Sequence, residues 1–177
     1  MDGTEQGERL IGGRYRILWQ LGQGSFGDTY LAETFEAWEM RCVRMPDGSD
    51  PCQLYQLLMD EEGNSVAEIS IFGLPEGGEA AAGATIITPL ETLLTEQITL
   101  RVDGGAAKRY PFTWCGAIGC ISRVGFTAAE IESFRRGAQA TLVIVPAAAP
   151  DQDVTLSISL LGFTAGYDAV NEANLGN

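Results

Sequence analysis

Val154-Thr155-Leu156-Ser157-Ile158-Ser159-Leu160 alternates apolar and polar side chains without a break. Successive side chains of an extended chain point to opposite faces, so the aliphatic residues share one face and the threonine and serines the other. That is the pattern of a strand with one face on a core and one in water. The same period recurs upstream. Trp38, Met40 and Cys42 oppose Glu39 and Arg41, and Ile98, Leu100 and Val102 oppose Thr99 and Arg101 before Asp103-Gly104-Gly105 ends the run. Cys52 to Leu58 and Val66 to Phe72 flank Asp60-Glu61-Glu62-Gly63-Asn64, the expected turn of a hairpin. Ala140 to Val145 adds a strand, parted from Val154 to Leu160 by Pro146 and Pro150.

One helix is expected at about 127–137. Thr127-Ala128-Ala129-Glu130 fits a capping box, Ile131 and Phe134 continue one face, and Gly137 is a natural stop. A shorter helix or turn fits Pro89 to Glu96. The alanine-glycine runs at Gly77 to Ala84 and Ala147 to Pro150 read as connections, and residues 171–177 as a flexible tail. Many short strands with one short helix predict a mainly β fold, an antiparallel β-sandwich. An N-terminal glycine-rich hairpin precedes it, two short strands within residues 10–33.

The 177 residues suffice for one well-buried domain. A net charge of −13 argues against nucleic acid or anionic lipid as partner, since both require clustered Lys and Arg. Lys108 is the only lysine. With no histidine in the chain, Ser-His-Asp and Cys-His nucleophile systems and His-based metal sites are excluded. No run approaches the ~18 apolar residues of a membrane span. Residues 1–30 lack the apolar core of a signal peptide.

Four cysteines stand as two close pairs. Cys42 and Cys52 bracket a segment with Pro46, Asp47-Gly48 and Pro51; Cys115 and Cys120 bracket Gly116-Ala117-Ile118-Gly119. Three connectivities are open, and the short loops favour Cys42–Cys52 with Cys115–Cys120. A zinc site built from all four thiolates is the alternative, at spacings wider than the usual zinc knuckle. Structural bridges are the stronger reading and point to an extracytoplasmic domain. No metal or cofactor is expected. Asp60-Glu61-Glu62 lacks the spacing of a calcium loop and reads as a solvated turn. Arg135-Arg136 and Lys108-Arg109 read as solvated basic spots. Trp38, Trp114, Tyr110 and Phe112 can form an aromatic ligand platform or, more simply, core.

From Phe35 to about Val170 the chain resembles the invasion-associated locus B (IalB-like) family of Gram-negative bacteria. The resemblance rests on Trp38-Glu39-Met40-Arg41-Cys42, Pro51-Cys52-Gln53-Leu54-Tyr55-Gln56, Pro89-Leu90-Glu91 and Val102-Asp103-Gly104-Gly105. It continues through Trp114-Cys115, Gly119-Cys120 and Leu161-Gly162-Phe163-Thr164-Ala165-Gly166. It implies a β-sandwich at residues 34–170, exported to the periplasm or secreted, with a role in the envelope or in host-cell invasion. It carries no catalytic residues.

Residues 10–33 resemble the opening of a bacterial Hanks-type Ser/Thr protein kinase, through Arg14-Tyr15-Arg16-Ile17 and Leu21-Gly22-Gln23-Gly24-Ser25-Phe26-Gly27-Asp28-Thr29-Tyr30-Leu31-Ala32. Gly22, Gly24 and Gly27 would then cradle a nucleotide through backbone amides. The rest of that family's pattern is missing. No lysine precedes Lys108, no HRD or DFG follows, and the length cannot hold two lobes. Residues 1–33 therefore read as a kinase-like fragment without kinase function, and ATP is not expected to bind. The expected function is a non-enzymatic envelope protein acting by binding or interaction with a protein or envelope partner. The alternative is an ATP-binding kinase fragment; a small-ligand carrier would need a sizeable apolar pocket.

Overall fold

A computed structural model describes residues 10–11, 15–16, 18–25 and 27–175. Arg14, Ile17 and Phe26 of the kinase-like stretch lie outside the described residues, as do residues 1–9 and 176–177. The chain is mainly antiparallel β with two short helices. A small pair, β1 (Leu10–Ile11) with β2 (Tyr15–Arg16), precedes the hairpin of β3 (Trp19–Gly24) and β4 (Gly27–Phe35). Then come β5 (Trp38–Arg44), β6 (Cys52–Met59), β7 (Ser65–Gly73) and β8 (Ala82–Thr88). After a single 3-10 turn (Leu94–Glu96) follow β9 (Ile98–Val102), β10 (Lys108–Tyr110), β11 (Trp114–Gly116) and β12 (Gly119–Phe126). Helix α1 (Ala128–Arg136), strands β13 (Gln139–Ile144) and β14 (Val154–Ser159), and helix α2 (Phe163–Asn174) complete the chain.

The expected strand pattern holds, and the two layers of the expected sandwich are one continuous sheet that curls on itself. One run has the order β3-β4-β5-β6-β7-β8-β12-β11 and the other β10-β9-β13-β14, with β6 as the shared strand. β6 pairs with β5 through its first half and with β14 only at Met59↔Ser157. Beside that thin junction the Gln56 side chain acts as a surrogate peptide. Its amide donates to the Ser159 carbonyl at 2.9 Å and its oxygen accepts from the Ser159 amide at 2.9 Å. Trp38 Nε1 donates to the same carbonyl at 2.8 Å. Gln56 is buried, so each of these bonds replaces lost water and keeps the seam closed.

Leu54, Ile69, Ile86, Leu142 and Leu156 project inward and form one core with both helices. A line of edge-to-face rings crosses it: Tyr110–Phe126–Phe134–Phe163–Trp38, with centroids 5.1–5.7 Å apart. Each such pair adds about 0.5–1.5 kcal/mol beyond burial. α1 has the expected capping box, with the Thr127 hydroxyl accepting from the Glu130 amide and the Glu130 carboxylate accepting from the Thr127 amide.

No strand is expected from the sequence at β10, β11 or β12, and two further elements depart from the sequence reading. The run expected as a connection at Gly77 to Ala84 gives way to β8, because Ala82 and Ala84 face the core and Gly83 leaves room for the Phe72 ring. α2 was not expected at all, and it extends through Asn174 into the stretch read as a flexible tail. Asn171 Oδ1 accepts from the Gly73 amide at 2.9 Å. Asn174 accepts from the Cys52 amide at 2.8 Å and donates to the Cys52 carbonyl at 2.9 Å. These bonds tie the helix end to β6 and β7.

Candidate functional site

Both cysteine pairs are bonded, Cys42 to Cys52 and Cys115 to Cys120. Each pair consists of direct cross-strand partners, Cys42↔Cys52 between β5 and β6 and Cys115↔Cys120 between β11 and β12. Cys42 and Cys52 are buried under α2. The second bridge closes the β11–β12 hairpin, whose tip carries Ile118, 68% exposed. Gly119 brings this hairpin close to β8. At φ +135° its position leaves only 2.2 Å between an added Cβ and the Thr88 carbonyl oxygen. No other residue type fits there.

On the outer face of the sheet, register aligns an apolar row. Leu57 of β6 pairs with Glu68 of β7, Glu68 with Ile87 of β8, Ile87 with Ile121 of β12, and Ile121 with Trp114 of β11. Leu57 is 42% and Trp114 48% exposed. Ile118 and Pro89 bound a shallow groove of about 510 Å³ whose floor includes Leu57, Val66 and Ile87. Ile87 is half-buried and Ile121 is buried, so the exposed apolar area comes from Leu57, Trp114 and Ile118. An outward face of an antiparallel sheet normally carries polar residues at such positions. The one carboxylate in the row, Glu68, accepts the Tyr55 hydroxyl at 2.8 Å. Burial first, and then this carboxylate, push the Tyr55 hydroxyl pKa up to about 12. Arg41 lies 3.3 Å over the Tyr55 ring and is paired with Glu39 at 2.7 Å. The row is thus bordered on the β5 side by a fixed ionic cluster.

The remaining sequence-derived residues lie apart from one another. Trp38 is fully buried and Tyr110 packs edge-on to Phe126, so the aromatic platform is not assembled; only Trp114 faces outward. Gly22, Gly24 and Gly27 lie in the β3–β4 hairpin, Gly22 opposite Thr29 and Gly24 opposite Gly27. Gly27 has φ +143°, and a Cβ there would meet the Arg44 carbonyl oxygen at 2.2 Å. This glycine lets β4 lie against β5. The Asp60 carboxylate accepts from the amides of Glu62 at 3.0 Å and Asn64 at 2.8 Å, and so shapes the β6–β7 turn. Among the described residues, no group of three or more Cys, Asp or Glu side chains is placed to hold a metal. No described helix is long and apolar enough to cross a membrane.

The sequence matches the family model described as invasion associated locus B (IalB) protein over residues 38–171. Two similar relatives are invasion protein B homologues of Brucella abortus, from strain 2308 and from biovar 1 strain 9-941. Each is 24% identical over 144 residues, covering 81% of this chain and 81% of the relative. The crystal structure of invasion associated protein B from Bartonella henselae shares the fold. Its TM-score is 0.61 at 21% identity, covering 78% of this chain and 92% of that one.

Proposed function

Because the chain belongs to the invasion associated locus B family, we propose that it is an extracytoplasmic envelope protein that works by binding rather than by catalysis. The outer-face row Leu57–Glu68–Ile87–Ile121–Trp114, with Ile118 beside it, is its contact surface. The observation that carries this reading is the row itself, five cross-strand partners brought into line next to a bridged hairpin. Desolvating such a row on a partner yields about 25 cal/mol per Å² of apolar area. The net charge of −13 favours a partner surface that is apolar and rimmed by basic groups. The two disulfides support an oxidising compartment. Host-cell invasion is the setting that the family name suggests for this contact.

The test has two arms. Fractionation of native cells followed by thiol counting should recover the protein outside the cytoplasm with both bridges closed; cytosolic protein with four free thiols would refute the compartment. A photo-crosslinking residue at Ile118 should trap an envelope component that the same residue at Glu61, on the exposed β6–β7 turn, does not. Equal trapping at both positions would refute the surface. With the crosslinking residue kept at position 118, Leu57→Asp at the exposed other end of the row should abolish the adduct without lowering thermal stability.

A further inference from the structure

A second concavity lies on the other run of the sheet, between β9, β10 and α1. Its floor is Leu100, Val102 and Phe134, its volume about 290 Å³, and Lys108, Tyr110 and Glu130 stand at its rim. Leu100 and Phe134 are core residues, so the floor is an opening onto the packed interior. The polar rim is asymmetric in a way that selects a ligand charge. The Glu130 carboxylate is already engaged and its charge compensated: the Tyr110 hydroxyl donates to Oε1, Lys108 Nζ lies 2.9 Å from the same oxygen, and the Thr127 amide donates to Oε2 at 2.7 Å. Tyr110 has spent its hydroxyl proton there, and the Ser133 hydroxyl donates to the Glu130 carbonyl at 2.6 Å. Lys108 is the group with capacity left. An ammonium carries three donors, its Glu130 contact uses one, and the side chain is 54% exposed at the mouth. The chain's only lysine is thus held in place by a carboxylate that it neutralises, with its remaining donors over an apolar cleft.

We propose that this cleft binds a small aliphatic monocarboxylate, its head on the Lys108 ammonium and its chain over Leu100, Val102 and Phe134. A cationic head meets the Lys108 ammonium at the rim, and the one carboxylate that could attract it, Glu130, is already neutralised by that lysine. A neutral alcohol forfeits the charge-assisted bond, worth a factor of about ten or more.

The test is calorimetric or NMR titration of the full chain with octanoate, kept below its micelle concentration. Saturable one-to-one binding is expected, about fifteenfold tighter than for hexanoate, since each of the two extra buried methylenes contributes about fourfold. Octanol and octyltrimethylammonium should bind at least tenfold more weakly. Lys108→Gln should lose at least tenfold while Lys108→Arg keeps the affinity. Ala106→Trp, an exposed residue lining the cleft, should block binding by filling it. Circular dichroism melts of the three variants show that the fold is intact. Lack of saturable octanoate binding by the native protein overturns the proposal, as does equal affinity in Lys108→Gln or in Ala106→Trp.

Discussion

Mild reduction at neutral pH should open Cys115–Cys120 while Cys42–Cys52 stays closed. The Cys115–Cys120 and Cys42–Cys52 bridges close loops of sequence separation 5 and 10, which the chain-entropy relation values at about 2.1 and about 2.7 kcal/mol respectively. Energetically they are near equals, so access decides the order. Thiol exchange needs a line of approach to sulfur. Cys115 is exposed on the edge hairpin, whereas Cys42 and Cys52 are 0% and 3% exposed and lie beneath Asn174. At about 2.1 cal/mol/K per residue of unfolding entropy, losing the smaller contribution lowers the melting midpoint by about 6 °C. Stepwise dithiothreitol treatment, alkylation and peptide mapping should show Cys115 and Cys120 labelled first, with the far-ultraviolet spectrum unchanged and the midpoint lowered by that amount. Labelling of Cys42 and Cys52 in the same phase, or a midpoint that does not move, would overturn this order of opening.

Asn174→Ala should cost about 1–3 kcal/mol in urea unfolding, because it strands the buried amide and carbonyl of Cys52. Burial alone would raise the Glu130 carboxyl, but the Tyr110 hydroxyl, the Thr127 amide and Lys108 outweigh it and hold the pKa at about 2, below the usual 4.5. A carboxyl lowered on folding stabilises the native state above its unfolded pKa. The urea midpoint of the native chain should therefore fall as pH drops from 4.5 towards 2, and Glu130→Gln, weaker at neutral pH, should lack that part of the fall. Gly27→Val should destabilise by about 1–3 kcal/mol through its clash with Arg44 and its left-handed backbone. Gly22→Ala, with nothing within 4 Å, should stay within about 0.5 kcal/mol of the native chain by the same measurement.

Strands with one wet face were legible because alternation is a local signal. Val154 to Leu160 and Trp38 to Cys42 declare themselves within a few residues. β8 hid behind small residues, since alanine and glycine have low strand propensity, and it is a strand because β7 and β12 flank it on both sides. In α2 the spacing of Phe163, Tyr167, Val170 and Ala173 is helical and could have been read. Gly162, Gly166 and two asparagines masked it with poor propensity, which the asparagine bonds to Cys52 and Gly73 offset. The outer-face row was out of reach for another reason. Its members are spread from Leu57 to Ile121 and become neighbours only through strand register, and no local pattern carries that information.

Register also gives the disulfides their physical role. A bridge between distant segments would hold the topology together, but here each links residues that the ladder already pairs, with Cα atoms 4.0 Å apart. What it removes is slippage. β11 and the start of β12 contain Gly116 and Gly119, and such strands have little side-chain packing to fix their pairing. A slip of one residue between β11 and β12 would turn Trp114 to the inner face and withdraw it from Ile121. Covalent pairing of Cys115 with Cys120 holds Trp114 in the outer row and Ile118 at the tip. At β5–β6 the other bridge fixes the partner of Tyr55, and with it the Arg41 and Glu68 contacts that border the same row. Both bridges therefore act on one surface from its two ends, and reduction should disturb the proposed contact there before it disturbs the fold.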